Sequence, residues 1–423
     1  MTQELWLFIL MVGAFASGCF LFKWPVSVAM LVASALAAIV GGVQDPIRHL
    51  VEGTFGYLDT ILTIATAMMF MTGFRDSGAL QALTAAVIKK FNKQPALLMI
   101  LLTLVIMVPG MITGSSTASV LTAGAVVAPM FIAMGMSTID AGALISIAAI
   151  LGMIAPPVNI PVMIIGGGVD MPYVGFEIPL ILLTFPLAIV FALWFGWRNV
   201  RKVDRSHVLA SLDFTTLNKY GALRLFSPLI FIFVLMILDK TVPHIFGFGM
   251  PLIFMLGTVL TWVTGTRFNI LKSAKKSIGD VLPVLGILVG VGMLIQVMTA
   301  TGVRGFIVVN ALSVPSSLLY LMIAISIPLF GAISAFGSAS VLGVPFMLAL
   351  LGHDQITTAA ALSLIAAIGD FMPPTALAAI FAAKVVGVEK YGSILKKLVV
   401  PALIIIAWAL FFILFSKQIS ALY

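Results

Sequence analysis

Three points of this 423-residue chain set oxygen-bearing side chains or helix-breaking prolines within apolar sequence. The densest cluster is Gly114-Ser115-Ser116-Thr117, set within otherwise apolar sequence. Hydroxyl and free carbonyl oxygens suit Na⁺, and backbone N–H groups at a helix start suit a carboxylate. The alternative reading is a helix contact, where small residues let helices approach closely. A second point is Gly152 to Pro161 (GMIAPPVNIP). Proline lacks the N–H donor and clashes with the preceding turn, so a helix must break there and free its carbonyls for a cation. Asn159 adds an amide that could reach cation or substrate; a simple proline kink is the alternative. The third is Gly369-Asp370-Phe371-Met372-Pro373-Pro374-Thr375. A carboxylate inside a membrane costs at least a few kcal/mol unless paired or hydrated. Asp370 is therefore expected to ligate Na⁺ or to carry a proton; otherwise it caps the half-helix that follows.

The elements holding these groups must be membrane helices. The composition is 61% hydrophobic and only 9% charged, against roughly 25% charged in ordinary soluble domains. Apolar runs between residues 4 and 416 leave room for about ten or more crossings and no space for a separate soluble domain. The first run lacks a positively charged leader and is expected to remain as a span. Two pairs of runs, 95–134 and 316–351, are interrupted by small polar joints, at Gly114-Ser115-Ser116 and near Gly337-Ser338. They read as re-entrant hairpins. The stretches Leu80–Lys93 and Val303–Leu312 are amphipathic and are expected to lie along the interface beside each hairpin.

The charges support this topology. With loop 198–225 in the cytoplasm and both hairpins re-entrant, all but Arg48, Lys240, Arg304 and Lys417 of the 23 Lys and Arg fall inside. That is the bias the positive-inside rule requires. Both termini are then expected on the outer side.

The chain also repeats itself. Ala118-Ser119-Val120-Leu121 recurs as Ala339-Ser340-Val341-Leu342. Ser146 to Pro157 matches Ser363 to Pro374, with Gly152, Pro156 and Pro157 opposite Gly369, Pro373 and Pro374. The expectation is an all-α polytopic protein built from two inverted repeats, 1–197 and 226–423, joined by a cytoplasmic linker, 198–225. Each repeat holds a hairpin (about 95–134 and 316–351) and a broken helix (about 139–168 and 356–386). Secondary transporters use this architecture, with binding at the midplane.

No spacing of His, Cys or paired carboxylates supports catalysis, so no enzyme is expected. Cys19 stands alone, which excludes an intrachain disulfide. The net charge of +8 sits in short loops, where it orients helices and does not call for nucleic acid. Arg75 and Arg304 lie near the hairpins and read as interface markers.

The Gly-Ser-Ser tip, Pro129 beyond it and the Leu-Gly-x-x-x-Pro-Pro break at 151–157 resemble the large, DctM-type membrane subunit of tripartite ATP-independent periplasmic (TRAP) transporters. The resemblance runs from about Trp24 to Leu414. It implies an elevator-type transporter, Na⁺ as coupling ion (with H⁺ the other option), and small organic acids, including dicarboxylates, as substrates. It also implies a four-helix small membrane subunit, a periplasmic substrate-binding protein and a bacterial or archaeal inner membrane. Carried over by position, one ion site comprises Gly114, Ser115, Ser116, Gly152, Pro156 and Asn159. The other comprises Gly337, Ser338, Ser340, Gly369, Asp370 and Pro373. Substrate would meet Ser115, Ser116, Thr117, Asn159, Ser338 and Thr375. The second break departs from the family pattern at Asp370, Met372, Thr375 and Ala376. Alternatives are a stand-alone organic-anion symporter of the same superfamily or a channel.

Overall fold

The computed structural model describes residues 3–196, 214–311, 314–373 and 376–422, and all regular structure within them is helical. Most of the expected linker, and Thr375, lie outside these residues. The first half contains α1 (Gln3–Phe20), α2 (Val26–Val40), α3 (Pro46–Phe55), α4 (Leu58–Asp76) and α5 (Ala79–Phe91). It continues through α6 (Pro95–Thr113), α7 (Ser116–Ala133), α8 (Thr138–Ile154), α9 (Ile160–Gly168) and α10 (Glu177–Gly196). The second half has α11 (Ala222–Thr241), α12 (Gly249–Thr264), α13 (Ile270–Ala300) and α14 (Val303–Ala311). Then come α15 (Ser316–Gly331), α16 (Ala335–Ala349), α17 (Gln355–Ala367), α18 (Leu377–Val386) and α19 (Gly392–Leu414).

Among the described residues seven helices are long and apolar enough to cross a membrane, or eight if α3 and α4 form one bent span. Those two meet at 42°. Gly53 on α3 abuts Gly292 of α13, where a Cβ would lie 2.7 Å from the Gly292 carbonyl oxygen.

The helices form two bodies. In one, α1 packs on α2, α2 on α13, α3 and α4 on α13, α12 on α4, and α11 on α12. Many of its side chains, such as Leu62, Leu223, Ile237, Val259 and Val263, remain exposed, as a face toward hydrocarbon requires. The other body holds the hairpins α6–α7 and α15–α16, the broken helices α8–α9 and α17–α18, and α10 and α19. Every residue of α8 from Ala141 to Ile154, and of α17 from Thr357 to Ala367, is buried. Helices apolar on all sides belong at a core, and their many alanines admit close neighbours. The halves interlock: α18 packs on α8 and on the π-turn of α7, while α9 packs on α17 and on the π-turn of α16.

The repeat is present, but one of the two sequence matches that suggest it is out of register. Pro109 and Pro328, the cap residues Ser115 and Ser334, and the π-turns Val120–Gly124 and Ala339–Gly343 correspond pair by pair. All are 219 positions apart. In this register Ser119 is the counterpart of Ser338, and the shared Ala-Ser-Val-Leu tetrapeptide is displaced by two residues. The Ser146/Ser363 match holds: Ser137 and Asp354 cap the corresponding helices α8 and α17. The second hairpin turns at Ala332–Ser334, before α16, so the joint lies three residues upstream of its expected place near Gly337.

The two bodies are fastened by few polar contacts. The Tyr57 hydroxyl, at the α3–α4 bend, donates to the Ile164 carbonyl at 2.7 Å. Arg304 on α14 pairs with Asp170 at 3.0 Å, and Lys240 at the end of α11 pairs with Glu177 at the start of α10 at 3.0 Å.

Candidate functional site

A cavity of about 440 Å³ opens where the two bodies meet. Its lining includes both hairpin tips, Ser115–Thr117 and Ile333–Phe336, together with Asp370 and Leu377 from the second break. The facing wall is Thr72 and Arg75 of α4 and Asp280, Pro283 and Val284 of α13.

The first tip is built by Gly114, whose left-handed φ of +62° ends α6. A Cβ there would fall 2.5 Å from Ile160 Cγ1, so the tip rests directly on the start of α9. Only glycine meets both demands. Ser115 then caps α7 by accepting from the Ala118 N–H at 3.3 Å. Ser116 is buried, and its hydroxyl donates to Asp370 Oδ2. This bond joins the hairpin of one half to the break of the other. Thr117 lines the cavity beside them.

The first break is closed by Asn159. Its Oδ1 accepts from Val162 N–H at 2.9 Å, capping α9. Its Nδ2 donates to the Ile154 carbonyl at 2.9 Å and to Ser363 Oγ at 3.0 Å, tying the two broken helices together. The Val158 N–H donates to the Met111 carbonyl at 3.0 Å, so hairpin and break share backbone bonding. Gly152 packs on α6 so tightly that a Cβ would stand 2.6 Å from the Met107 carbonyl oxygen. The second half repeats the crossing: a Cβ on Gly369 would lie 2.5 Å from Gly331 Cα.

Of the residues singled out in the sequence, Ser115, Ser116, Thr117 and Asp370 are thus brought together at the cavity. Gly152, Pro156, Asn159, Gly337, Ser338, Ser340, Gly369 and Pro373 are not among its lining residues. Gly114 supports the tip from behind. Ser338 donates to the Ile327 carbonyl at 2.6 Å, clasping the two arms of its hairpin. Ser340 is buried without a hydrogen-bond partner among the described residues, as is Ser119 in the first hairpin. Pro373 is exposed.

Sequence reasoning missed Ser334, which caps α16 through the Gly337 N–H at 3.2 Å and lines the cavity. The six-residue spacing from Pro109 to Ser115, repeated from Pro328 to Ser334, was the available signal. Arg75, read from the sequence as an interface marker, lines the cavity, and so does Asp280.

Among the described residues no three His, Cys, Asp or Glu side chains converge. A cation in this cavity would meet carboxylate oxygen from Asp370 or Asp280 with the hydroxyl oxygens of the tips, a donor set that suits a hard ion.

Comparison with known proteins agrees with this architecture. The YdaH transporter of Alcanivorax borkumensis, whose crystal structure is described as having an unusual topology, superposes with a TM-score of 0.63. The match covers 88% of this chain and 89% of that one at 15% identity, a likeness of fold. No curated protein matches in sequence. A family model, the DctM component of the tripartite ATP-independent periplasmic transporters, matches residues 12–419. The chain is a multi-pass membrane protein and belongs to the DctM family, the large membrane component of these transporters.

Proposed function

We propose that this chain moves small organic acids across the inner membrane, driven by Na⁺, as the large permease subunit of its transporter. The observation that carries the reading is the bond from Ser116 to Asp370 within a cavity walled on one side by hairpin tips and on the other by α4 and α13. A carboxylate and clustered hydroxyls give Na⁺ its oxygen ligands, and the bound cation then offsets the charge of an entering carboxylate. Ser115, Ser116, Thr117 and Asp370 are the central ligands. Asn159, Gly152 and Pro156 fix the first break behind them, and Ser338, Ser340, Gly369 and Pro373 serve the second.

In this reading the hairpin body slides as an elevator against the α1–α4 and α11–α13 body, carrying the cavity from one membrane face to the other. The repeats are inverted, the termini lie outside, and Arg75 stands toward the cytoplasmic end of α4. A periplasmic binding protein delivers the substrate, and a separate small membrane subunit braces the static body.

The test is uptake into proteoliposomes holding this protein, its small subunit and its binding protein, under an imposed Na⁺ or pH gradient. Na⁺-dependent carboxylate uptake that requires the binding protein supports the reading. Uptake by this chain alone would make it a stand-alone symporter, and uptake driven only by the pH gradient would make the proton the coupling ion.

A further inference from the structure

The geometry points to Arg75 as the residue that receives the carboxylate of the transported anion, with Asp76 as its positioning residue. This rests on the organic-anion reading above and adds the specific contact.

Arg75 is the one basic side chain among the lining residues, against two acidic ones, Asp280 and Asp370. Among the described residues no hydrogen bond or ion pair joins it to either of these carboxylates. It pairs sideways instead: Nε and Nη2 both donate to Oδ1 of the neighbouring Asp76, at 3.2 and 3.1 Å. Asp76 is itself fixed from the other half of the chain. Its Oδ2 accepts from Ser273 Oγ at 2.7 Å, and its carbonyl accepts from Thr266 Oγ1 at 3.1 Å. The guanidinium is thus anchored along one edge. Its Nη1 edge has no hydrogen-bond partner among the described residues, and the side chain is 27% exposed in the cavity wall.

A guanidinium edge offers parallel N–H donors in the spacing a carboxylate accepts, which an ammonium does not reproduce. The same cavity is lined by Ser115, Ser116, Thr117 and Ser334. Such a site selects an anion with a planar carboxylate at one end and hydrogen-bonding groups at the other. With two carboxylates against one guanidinium in the lining, a dianion gains entry only with cations, which links this contact to the coupling ion.

The test uses two readouts. Detergent-purified protein in Na⁺ buffer is treated with phenylglyoxal, and arginine adducts are mapped by mass spectrometry, with the exposed Arg48 as reference. The probes are succinate, pyruvate and the uncharged succinamide. In parallel, uptake of the same acids is measured for wild type, Arg75→Gln, Arg75→Lys and Asp76→Asn. The expected result is that an acid, and not succinamide, slows modification of Arg75 relative to Arg48. Arg75→Gln raises KM at least about tenfold with a smaller change in the maximal rate, Arg75→Lys recovers part of the loss, and Asp76→Asn raises KM less. Uptake with unchanged KM in Arg75→Gln, or Arg75 modification indifferent to the acids that are carried, overturns the assignment and leaves the transport reading standing. Protection of Arg75 without uptake supports the contact and removes the transport reading. Neither uptake nor protection removes both. The protection readout uses wild-type protein, so it decides the matter even where a variant fails to fold.

Discussion

In the first half of the molecule the break between α8 and α9 is closed by a neutral amide. Asn159 caps the half-helix, bonds the last carbonyl region of α8 and holds Ser363 of the facing helix. In the second half the corresponding position is Ala376, which has a left-handed φ of +35° and caps nothing with its side chain. The polar group there is Asp370, and its bond goes to Ser116, in the hairpin of the other half. One backbone plan therefore serves two purposes. The first break is a capped joint tied to the facing helix by a neutral amide, whereas the second sets a buried carboxylate whose surroundings depend on where the opposite hairpin tip stands. A duplicated fold can keep one copy rigid and let the other become responsive.

Substitutions can separate the two roles. The largest effect is expected from Asp370→Asn: gradient-driven uptake falls on the order of 100-fold, since the amide cannot replace an intramembrane carboxylate, while thermal unfolding in detergent changes little. Loss of stability without loss of coupling would assign Asp370 to structure and erase the contrast. Asn159→Ala should show the reverse pattern. It removes a cap and leaves the Ser363 hydroxyl and the Ile154 carbonyl short of a donor, for a cost of about 2–4 kcal/mol. The midpoint of thermal unfolding should fall, with Asn159→Asp intermediate because the cap oxygen survives.

Gly369→Ala tests the crossing that both halves share. The added methyl meets Gly331 backbone, which cannot turn aside as a side chain can, at an expected cost of about 1–3 kcal/mol. Gly152→Ala should cost a similar amount against Met107 backbone, and a large inequality would show that the two crossings are not equivalent. The smallest effect belongs to Ala376→Gly. Relieving a left-handed alanine should stabilise the second break by up to about 1 kcal/mol, with a rise in unfolding temperature as the readout.

Much of this was legible in the residues. The proline pairs located both breaks, the Gly-Ser-Ser cluster located the first tip, and Asp370 stood out because a lone carboxylate in apolar sequence demands a partner. The hairpin register was not legible from letters. Ala118-Ser119-Val120-Leu121 and its copy share identity by composition, whereas the backbone aligns on a proline, a cap serine and a π-turn glycine, each set by local geometry. The second tip was misplaced because Gly337-Ser338 looked like Gly114-Ser115, although Ser334 does the capping. Arg75 and Asp280 were unreadable as site residues for another reason. They belong to helices far apart in sequence, and only the packing of α4 on α13 turns both toward the same cavity.

The fastenings between the two bodies have a mechanical meaning. Lys240–Glu177 is a half-exposed pair, and in Arg304–Asp170 the acid is 82% exposed. Ion pairs so open to solvent are each worth about 0–1 kcal/mol and weaken with salt. What remains at the seam is mostly apolar contact, which has no preferred partner and survives a shift in register. Beside the buried Tyr57–Ile164 hydrogen bond the seam is held by two light detents, and ionic strength is the knob that sets how firmly they catch.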